Sequence, residues 1–309
     1  MNDIIERLHL LGILPVVKLD KAEDVLPLAQ ALRKAGIQGA EITFRTPAAA
    51  KAIRLMKETY PDMLAAAGTV LTVEQAAKAK EAGADLLVSP GIDPDIVNWA
   101  QEHDILMIPG CMSPTDVSVA ASLGLDVVKF FPAQTAGGPA AIQALSAPFP
   151  YMKFMPSGGI HEDNMLEYLK MPQVVAIGGS WMTKEGAAAP AVKALLDFRL
   201  AHIGINAANE KEARQIADLF ETVFGFEARE NPSSIFSDTY VETVKTPYLG
   251  KNGHMAISTP DVERAVYYLK QKGVAFNDAS IVYRDSGVMQ CIYLAEETGG
   301  FAIHLVRKD

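Results

Sequence analysis

The stretch "VVKFFPA" at residues 127–133 places a lysine, Lys129, inside a run with the composition of a buried β-strand. Two valines precede Lys129 and two phenylalanines follow it. Burying an ammonium group is costly, so such a lysine either extends its head to water or loses its charge. A lysine that is uncharged part of the time is a nucleophile toward carbonyl groups. This segment alone leaves both interpretations open.

Seven more apolar runs of the same kind lie in the first two thirds of the chain. The predicted strands are 13–18, 39–44, 64–70, 86–91, 106–111, 127–132, 152–157 and 174–180. Amphipathic stretches separate them, and several of these end with the Gly that stops a helix. Strands too apolar to alternate indicate a parallel sheet, and eight β-then-α units are the number that closes a (β/α)8 TIM barrel. We therefore predict an α/β fold with a TIM barrel over residues 1–200.

The pattern changes after about residue 200. The stretch "AHIGINAANEKEARQIADLFETVFGF" predicts a strand, a helix and a turn, and "NGHMAISTPDVERAVYYLKQKGVAF" repeats that order roughly fifty residues later. Strand-like segments follow each copy. The sequence therefore predicts a smaller α+β domain of two βαβββ copies over residues 201–309, with the boundary near Leu200.

Composition limits the classes of function. Of the 309 residues, 49% are hydrophobic and 21% charged, which is typical of a soluble globular protein, and no apolar run approaches the roughly 18–20 residues of a membrane span. The N-terminal "MNDIIERLHL" contains acids and does not resemble a signal peptide. Two distant cysteines, Cys111 and Cys291, favour a reducing cytoplasmic location. The net charge of −9 argues against nucleic acid as a partner.

Candidate reactive side chains follow from the barrel, whose functional residues lie at the C-terminal ends of strands. Glu41 is an acid within the apolar run "GAEITF", which makes it a candidate for proton transfer to and from a Schiff base on Lys129. Arg45 follows the same strand and has a fork suited to a carboxylate. A purely structural ion pair inside the barrel is the alternative interpretation.

Glycine pairs follow the last two predicted strands, in "PSGGI" at 156–160 and "IGGS" at 177–180. Glycines there let backbone N–H groups approach an anion, and a following helix N-terminus adds a favourable dipole. Each pair also has a serine hydroxyl beside it, although glycine pairs can simply make tight turns. The candidate phosphate-binding residues are Ser157, Gly158, Gly159, Gly179 and Ser180. With the lysine, the glutamate and the arginine, they imply a substrate with a carboxylate, a carbonyl and a phosphate.

The segments "GAEITFRTP", "AAAGTVLT", "IPGCMSPTD", "VVKFFPA", "PSGGI" and "IGGSWM" closely resemble the 2-keto-3-deoxy-6-phosphogluconate (KDPG) aldolase family. The resemblance covers roughly residues 1–195. It implies a class I aldolase of the Entner–Doudoroff route that splits KDPG into pyruvate and glyceraldehyde 3-phosphate, with 4-hydroxy-2-oxoglutarate as a possible second substrate. It also implies a homotrimer that needs no metal or other cofactor for this reaction.

The same resemblance implies a role for each matching residue. Lys129 forms the Schiff base, Glu41 handles protons and Arg45 holds the pyruvate carboxylate. Thr69, Pro90 and Phe131 line the pocket, and the glycine pairs with Ser180 bind the phosphate. The chain departs from the family at Ser157, where threonine is usual, and at Lys18, where some relatives have arginine. For Lys18, substrate contact and a place on the barrel rim are both open.

A different class of enzyme is the main alternative for the first domain. A phosphate-binding barrel isomerase or epimerase would use Glu41 as a base without a covalent step. In that case Lys129 would not be a nucleophile.

The C-terminal segments "HIGI", "FGF", "GHMAIS" and "GGFAIHLV" resemble the vicinal-oxygen-chelate, or glyoxalase-like, superfamily. That resemblance implies metal ligands on the first strand of each repeat and on the last strand, where this chain has His202, His254 and His304. The last position is more often glutamate. Three histidines are a donor set for a zinc-like divalent ion, whereas histidines packed against a sheet are the alternative. A binding or assembly module without catalysis also remains open.

Overall fold

The computed structural model describes residues 3–308, which form two compact units divided between Leu195 and Leu196. The predicted boundary near Leu200 is a few residues too late. Arg199 and Leu200 already pair with Ser258 and Ile257 in the sheet of the second unit, so the first strand of that unit begins before the predicted boundary. Each unit is described by itself.

The first unit alternates strands and helices. Its helices are α1 (Asp3–Leu11), α2 (Val25–Ala35), α3 (Ala49–Thr59), α4 (Val73–Glu81), α5 (Pro94–Glu102), α6 (Pro114–Ser122), α7 (Gly138–Ser146), α8 (Met165–Leu169) and α9 (Ala188–Leu196). Its strands are β1 (Ile13–Val17), β2 (Gly39–Thr43), β3 (Leu64–Gly68), β4 (Leu86–Val88), β5 (Leu106–Ile108), β6 (Gly110–Cys111), β7 (Val127–Phe130), β8 (Lys153–Pro156) and β9 (Ile177–Gly179). Every predicted strand segment contains a strand, and Pro109 divides the fifth into β5 and β6 because proline lacks the N–H that a ladder needs. No helix within residues 3–308 combines the length and apolar character that a bilayer crossing requires.

All strand pairs of the first unit are parallel. One sheet has the order β5-β4-β3-β2-β1-β9, and a second has the order β6-β7-β8. An isolated bridge between Ser157 and Gly178 links the end of β8 to β9, and the N–H of Lys129 donates to the carbonyl of Pro109 at 2.8 Å. The strands are buried and the connections are helical, which is the α/β arrangement that near-continuous apolar runs indicate.

Side-chain hydrogen bonds cap the start of some helices in the first unit, and α6 is an example. Ser113 accepts a hydrogen bond from the N–H of Asp116, and the Asp116 carboxylate accepts one from the N–H of Ser113. Pro114 occupies the first helical position, where its missing N–H costs nothing. Side-chain caps of this kind also begin α4, at Thr72, and α5, at Asp93.

The second unit has the order strand, helix, and three strands, twice over. Its elements are β10 (Arg199–Asn206), α10 (Glu210–Phe224), β11 (Ala228–Glu230), β12 (Ser234–Ser237), β13 (Val241–Val244), β14 (His254–Thr259), α11 (Val262–Lys270), β15 (Phe276–Tyr283), β16 (Met289–Leu294) and β17 (Ala302–Arg307). They form one sheet in the order β11-β12-β13-β10-β14-β17-β16-β15. In each half the first strand runs parallel to the last, and antiparallel pairing of β10 with β14 joins the halves.

Candidate functional site

A buried amine and a buried carboxylate meet inside the first unit. The Nζ of Lys129 on β7 lies 3.2 Å from Oε1 of Glu41 on β2, and their side chains are 7% and 1% exposed. The other carboxylate oxygen, Oε2, is buried and accepts no hydrogen bond from residues 3–308. Because a buried oxygen without a donor is costly, this atom is suited to accept a hydrogen bond from a bound molecule. The pair can therefore exchange a proton and present an amine to a carbonyl group.

Gly68, the last residue of β3, gives Glu41 its space. A Cβ atom on Gly68 would lie 2.3 Å from Oε1 of Glu41, far inside van der Waals contact. Glu41 is opposite Val16 of β1 and Ala66 of β3 in the parallel ladder, so it lies well within the strand layer. Gly68 stands directly before Thr69 at a predicted strand end, but the sequence analysis gave it no role in the site.

Arg45 and Thr69 lie together at the ends of neighbouring strands. The Nε of Arg45 donates to Oγ1 of Thr69 at 3.2 Å, while the rest of the arginine is exposed. Thr69 has a φ of 55°, a left-handed conformation that costs a residue with a Cβ about 1–3 kcal/mol. Backbone strain of this kind is common at ligand sites. The guanidinium group of Arg45 therefore lies at the C-terminal ends of β2 and β3, and Glu41 lies on β2.

Of the other predicted pocket residues, Phe131 lies beside Lys129, whereas Lys18 is exposed. The ring of Phe131 is centred 5.3 Å from Nζ of Lys129, a distance at which the ring face attracts a cation. Pro90 follows β4, and a Cβ on Gly110 would lie 2.1 Å from its carbonyl oxygen, so the two backbones are in close approach. Lys18 is exposed and pairs with the exposed Asp20 at 3.3 Å; the structure shows it in contact with neither Glu41 nor Lys129.

The glycines after β8 and β9 adopt conformations that need glycine. Gly158 and Gly159 have φ values of 97° and 77°, and a Cβ on Gly159 would lie 2.6 Å from Cβ of Gln134. Ser157 is buried, Ser180 is exposed, and the bridge from Ser157 to Gly178 places the two glycine segments side by side. The helical segments that follow are short, since α8 has five residues and the turn after Gly179 has three, so a helix dipole contributes little here.

A second cluster of polar side chains lies in the second unit. The Nε2 atoms of His202 and His254 are 3.2 Å apart, and nitrogen atoms of these two rings and of His304 all lie within 4.8 Å of one another. His254 and His304 are buried, and neither ring nitrogen of His304 has a partner within residues 3–308. The structure therefore brings the three predicted histidines together.

Glu242 on β13 is the member of this cluster that the sequence analysis missed. Its Oε2 lies 3.2 Å from Nε2 of His202 and 3.1 Å from Nε2 of His254. Glu242 is opposite Gly204 in the parallel ladder, and Gly204 lies two residues after His202. In the same way His304 is opposite Ala256, which lies two residues after His254. The repeat was the available signal, since "VETV" in the first copy corresponds to "IHLV" in the second.

The electrostatics of this cluster suit a cation. Burial, and then His254 and His202, lower the pKa of His304 to about 3, so its ring is neutral at neutral pH. Burial raises the pKa of Glu242, but hydrogen bonds with His202, His254 and Ser234 outweigh it and hold the pKa below its usual range. Neutral imidazoles and an ionised carboxylate are the forms that bind divalent metals, so the four side chains fit such an ion.

The first unit has the fold and the buried amine of an enzyme that attacks a carbonyl group covalently, and comparison with known proteins agrees. The family model for KDPG and KHG aldolase matches residues 4–194, so the chain belongs to that family. The predicted class, a carbon–carbon lyase of this family, is confirmed. The non-covalent isomerase is not favoured.

Several relatives support this assignment over the first unit. The 2-dehydro-3-deoxy-phosphogluconate aldolase of Haemophilus influenzae is 48% identical over 184 residues, which are 60% of this chain and 87% of that protein. The KHG/KDPG aldolase of Escherichia coli K12 is 38% identical over 57% of this chain and 82% of its own length. A crystal structure of the Legionella pneumophila KDPG aldolase, with pyruvate captured as a covalent carbinolamine, is 38% identical, covers 62% of this chain and 95% of that one, and has a TM-score of 0.58.

The space that Gly68 gives Glu41 leads to a prediction. Gly68→Ala should lower kcat roughly 10²-fold, because the added methyl must displace the carboxylate from Lys129. Steady-state assay of pyruvate release from KDPG measures this. Gly39→Ala is the control: its Cβ would also be crowded, at 3.0 Å from Cδ1 of Leu11, but at the opposite end of β2. Gly39→Ala should lower thermal stability and keep kcat, and equal kcat losses in both variants would contradict this role for Gly68.

Proposed function

We propose that the first unit cleaves KDPG to pyruvate and glyceraldehyde 3-phosphate through a covalent intermediate on Lys129. The observation that carries the proposal is the buried Lys129–Glu41 pair, 3.2 Å apart, with the second Glu41 oxygen lacking a partner within residues 3–308.

We also propose that the linked parallel strands form the eight-stranded TIM barrel of the sequence analysis, which the bridge between β8 and β9 supports.

The chemistry follows from the nucleophile and its neighbouring carboxylate. Neutral Nζ of Lys129 attacks the C2 carbonyl, and the resulting carbinolamine loses water to give a protonated imine. A base takes the proton of the C4 hydroxyl, the C3–C4 bond breaks, and its electron pair moves into the imine to form an enamine. Protonation of C3 and hydrolysis release pyruvate and restore the amine. Glu41 is the carboxylate placed to move these protons, because one oxygen contacts Nζ and the other faces no donor among the described residues.

The two ends of the substrate match side chains around the pair. Arg45, already oriented by Thr69, supplies a fork for the carboxylate. Phe131 and Pro90 supply apolar walls, and Lys18 is a further cation at the end of β1. The phosphate is assigned to the paired glycine segments after β8 and β9. 4-Hydroxy-2-oxoglutarate has the same ketone and hydroxyl but no phosphate, so it would react at the same amine.

Assembly and location remain predictions. We expect a homotrimer in the cytoplasm and no requirement for a metal in the aldolase reaction, since the amine and the carboxylate supply the proposed steps. Size-exclusion chromatography with light scattering on the full chain measures the assembly directly.

The role of Glu41 gives the kinetic test of the aldolase proposal. Glu41→Gln should lower kcat for KDPG cleavage by about 10²–10⁴, because the amide cannot exchange protons while its size is unchanged. KM should change little. Glu58→Gln is the matched control, an exposed glutamate on α3 that should behave as wild type. A Glu41→Gln enzyme with kcat within about threefold of wild type would remove Glu41 from the mechanism.

We propose as a second function that the glyoxalase-like unit holds one divalent metal ion on His202, Glu242, His254 and His304. The support is the convergence of four donors from the adjacent strands β13, β10, β14 and β17, with both nitrogens of His304 lacking partners among the described residues. Gly204 leaves space for the cluster, since a Cβ there would lie 2.0 Å from Cε1 of His254. A bound ion of this kind acts as a Lewis acid toward oxygen ligands.

Metal content of the full chain tests this second proposal. After loading with Zn²⁺ or Mn²⁺ and dialysis, the wild type should retain about one ion per chain, as a single four-donor site requires. His254→Ala and Glu242→Gln should lose most of it, because each removes a ligand. His103→Ala, an exposed histidine of the first unit, should retain it. Wild-type protein without bound metal, or equal metal in all variants, would contradict the site.

A further inference from the structure

The loop after β8 has two backbone N–H groups with no partner among the described residues. The carbonyl of Gly158 accepts the N–H of Gln134 at 3.0 Å, and the carbonyl of Gly159 accepts Nδ2 of Asn164 at 3.1 Å. In a trans peptide the N–H points opposite to the carbonyl. The N–H groups of Gly159 and Ile160 are therefore directed away from Gln134 and Asn164, and no hydrogen bond within residues 3–308 uses either of them.

Asn164 is itself held in one orientation. Its Oδ1 accepts the N–H of His161 at 2.9 Å, which leaves Nδ2 to face the carbonyl of Gly159. Nδ2 is also 3.5 Å from Oε1 of Gln134, and that oxygen accepts the hydroxyl of Tyr168 at 2.7 Å. Since the Tyr168 side chain is fully buried, the network is anchored in the core of the first unit. A flipped Asn164 amide would set two oxygens against each other, so the network fixes its direction.

We propose that Asn164 is a positioning residue for recognition of the substrate phosphate. By holding the carbonyl of Gly159, it keeps the N–H groups of Gly159 and Ile160 turned outward for an anion. Gly159 has φ of 77° in a two-glycine segment, and glycine loses much conformational freedom when it is ordered, so the loop needs such a constraint. The inference rests on the proposed phosphate site and extends it: Asn164 should set the preference for phosphorylated over unphosphorylated substrate without touching either.

The test compares Asn164→Ala with the full-length wild type on two compounds that differ only in the phosphate, KDPG and 2-keto-3-deoxygluconate. Asn164→Ala should raise KM for KDPG about 3- to 10-fold, the effect of one lost hydrogen bond, and keep kcat near wild type. The constant for inhibition by inorganic phosphate should rise by a similar factor. With 2-keto-3-deoxygluconate, kcat/KM should stay within about twofold. Asn98→Ala, an exposed asparagine on α5, is the control for loss of an amide.

A second, milder variant of the same hydrogen-bond network separates the proposed role from misfolding caused by Asn164→Ala. Tyr168→Phe removes only the hydroxyl that anchors Gln134, and it should raise KM for KDPG in the same direction by about twofold. Equal losses on both compounds would show a general structural role and overturn the inference. If the wild type prefers KDPG and is inhibited by phosphate while Asn164→Ala matches it, the inference fails and the phosphate site stands. If the wild type itself shows neither property, the phosphate site fails first.

Discussion

The proposed chemistry of the first unit depends on one interaction, the contact between the Lys129 amine and the Glu41 carboxylate, whose side chains are almost fully buried among the parallel strands. Two ions in such a place each lose several kcal/mol of hydration, and their mutual attraction must offset that cost. Removing one partner leaves an uncompensated group and costs about 3–5 kcal/mol. The pair is therefore weak evidence for stability and strong evidence for function, since apolar residues would fill the same space at lower cost.

Both units make space for buried polar groups in the same way. Gly68 leaves room for Glu41, and Gly204 leaves room for His254, in each case where a methyl group would overlap the side chain. Each glycine belongs to a strand adjacent to the strand that carries the polar residue. A small residue on the neighbouring strand is thus part of each site, although it offers no chemical group of its own.

The strands were predictable because parallel strands buried on both faces leave dense apolar runs, and polar residues in such runs, Lys129 and Glu41, are conspicuous. Glu242 was less conspicuous, since an acid in "VETV" has the pattern of a half-exposed strand, and only alignment of the two repeat copies matches it to His304. Asn164 was also missed, because its role depends on contacts between loops that no spacing rule describes.

The central claim is that the Lys129 amine bonds covalently to the ketone. The most direct test is reduction of the full-length enzyme with borohydride in the presence of pyruvate, followed by peptide mass spectrometry. The account predicts that the reduced adduct maps to Lys129, that Lys129→Ala carries none, and that Lys153→Ala, which alters another β-strand lysine, is labelled as wild type. An active enzyme whose adduct maps to another lysine, or that forms none, would contradict it.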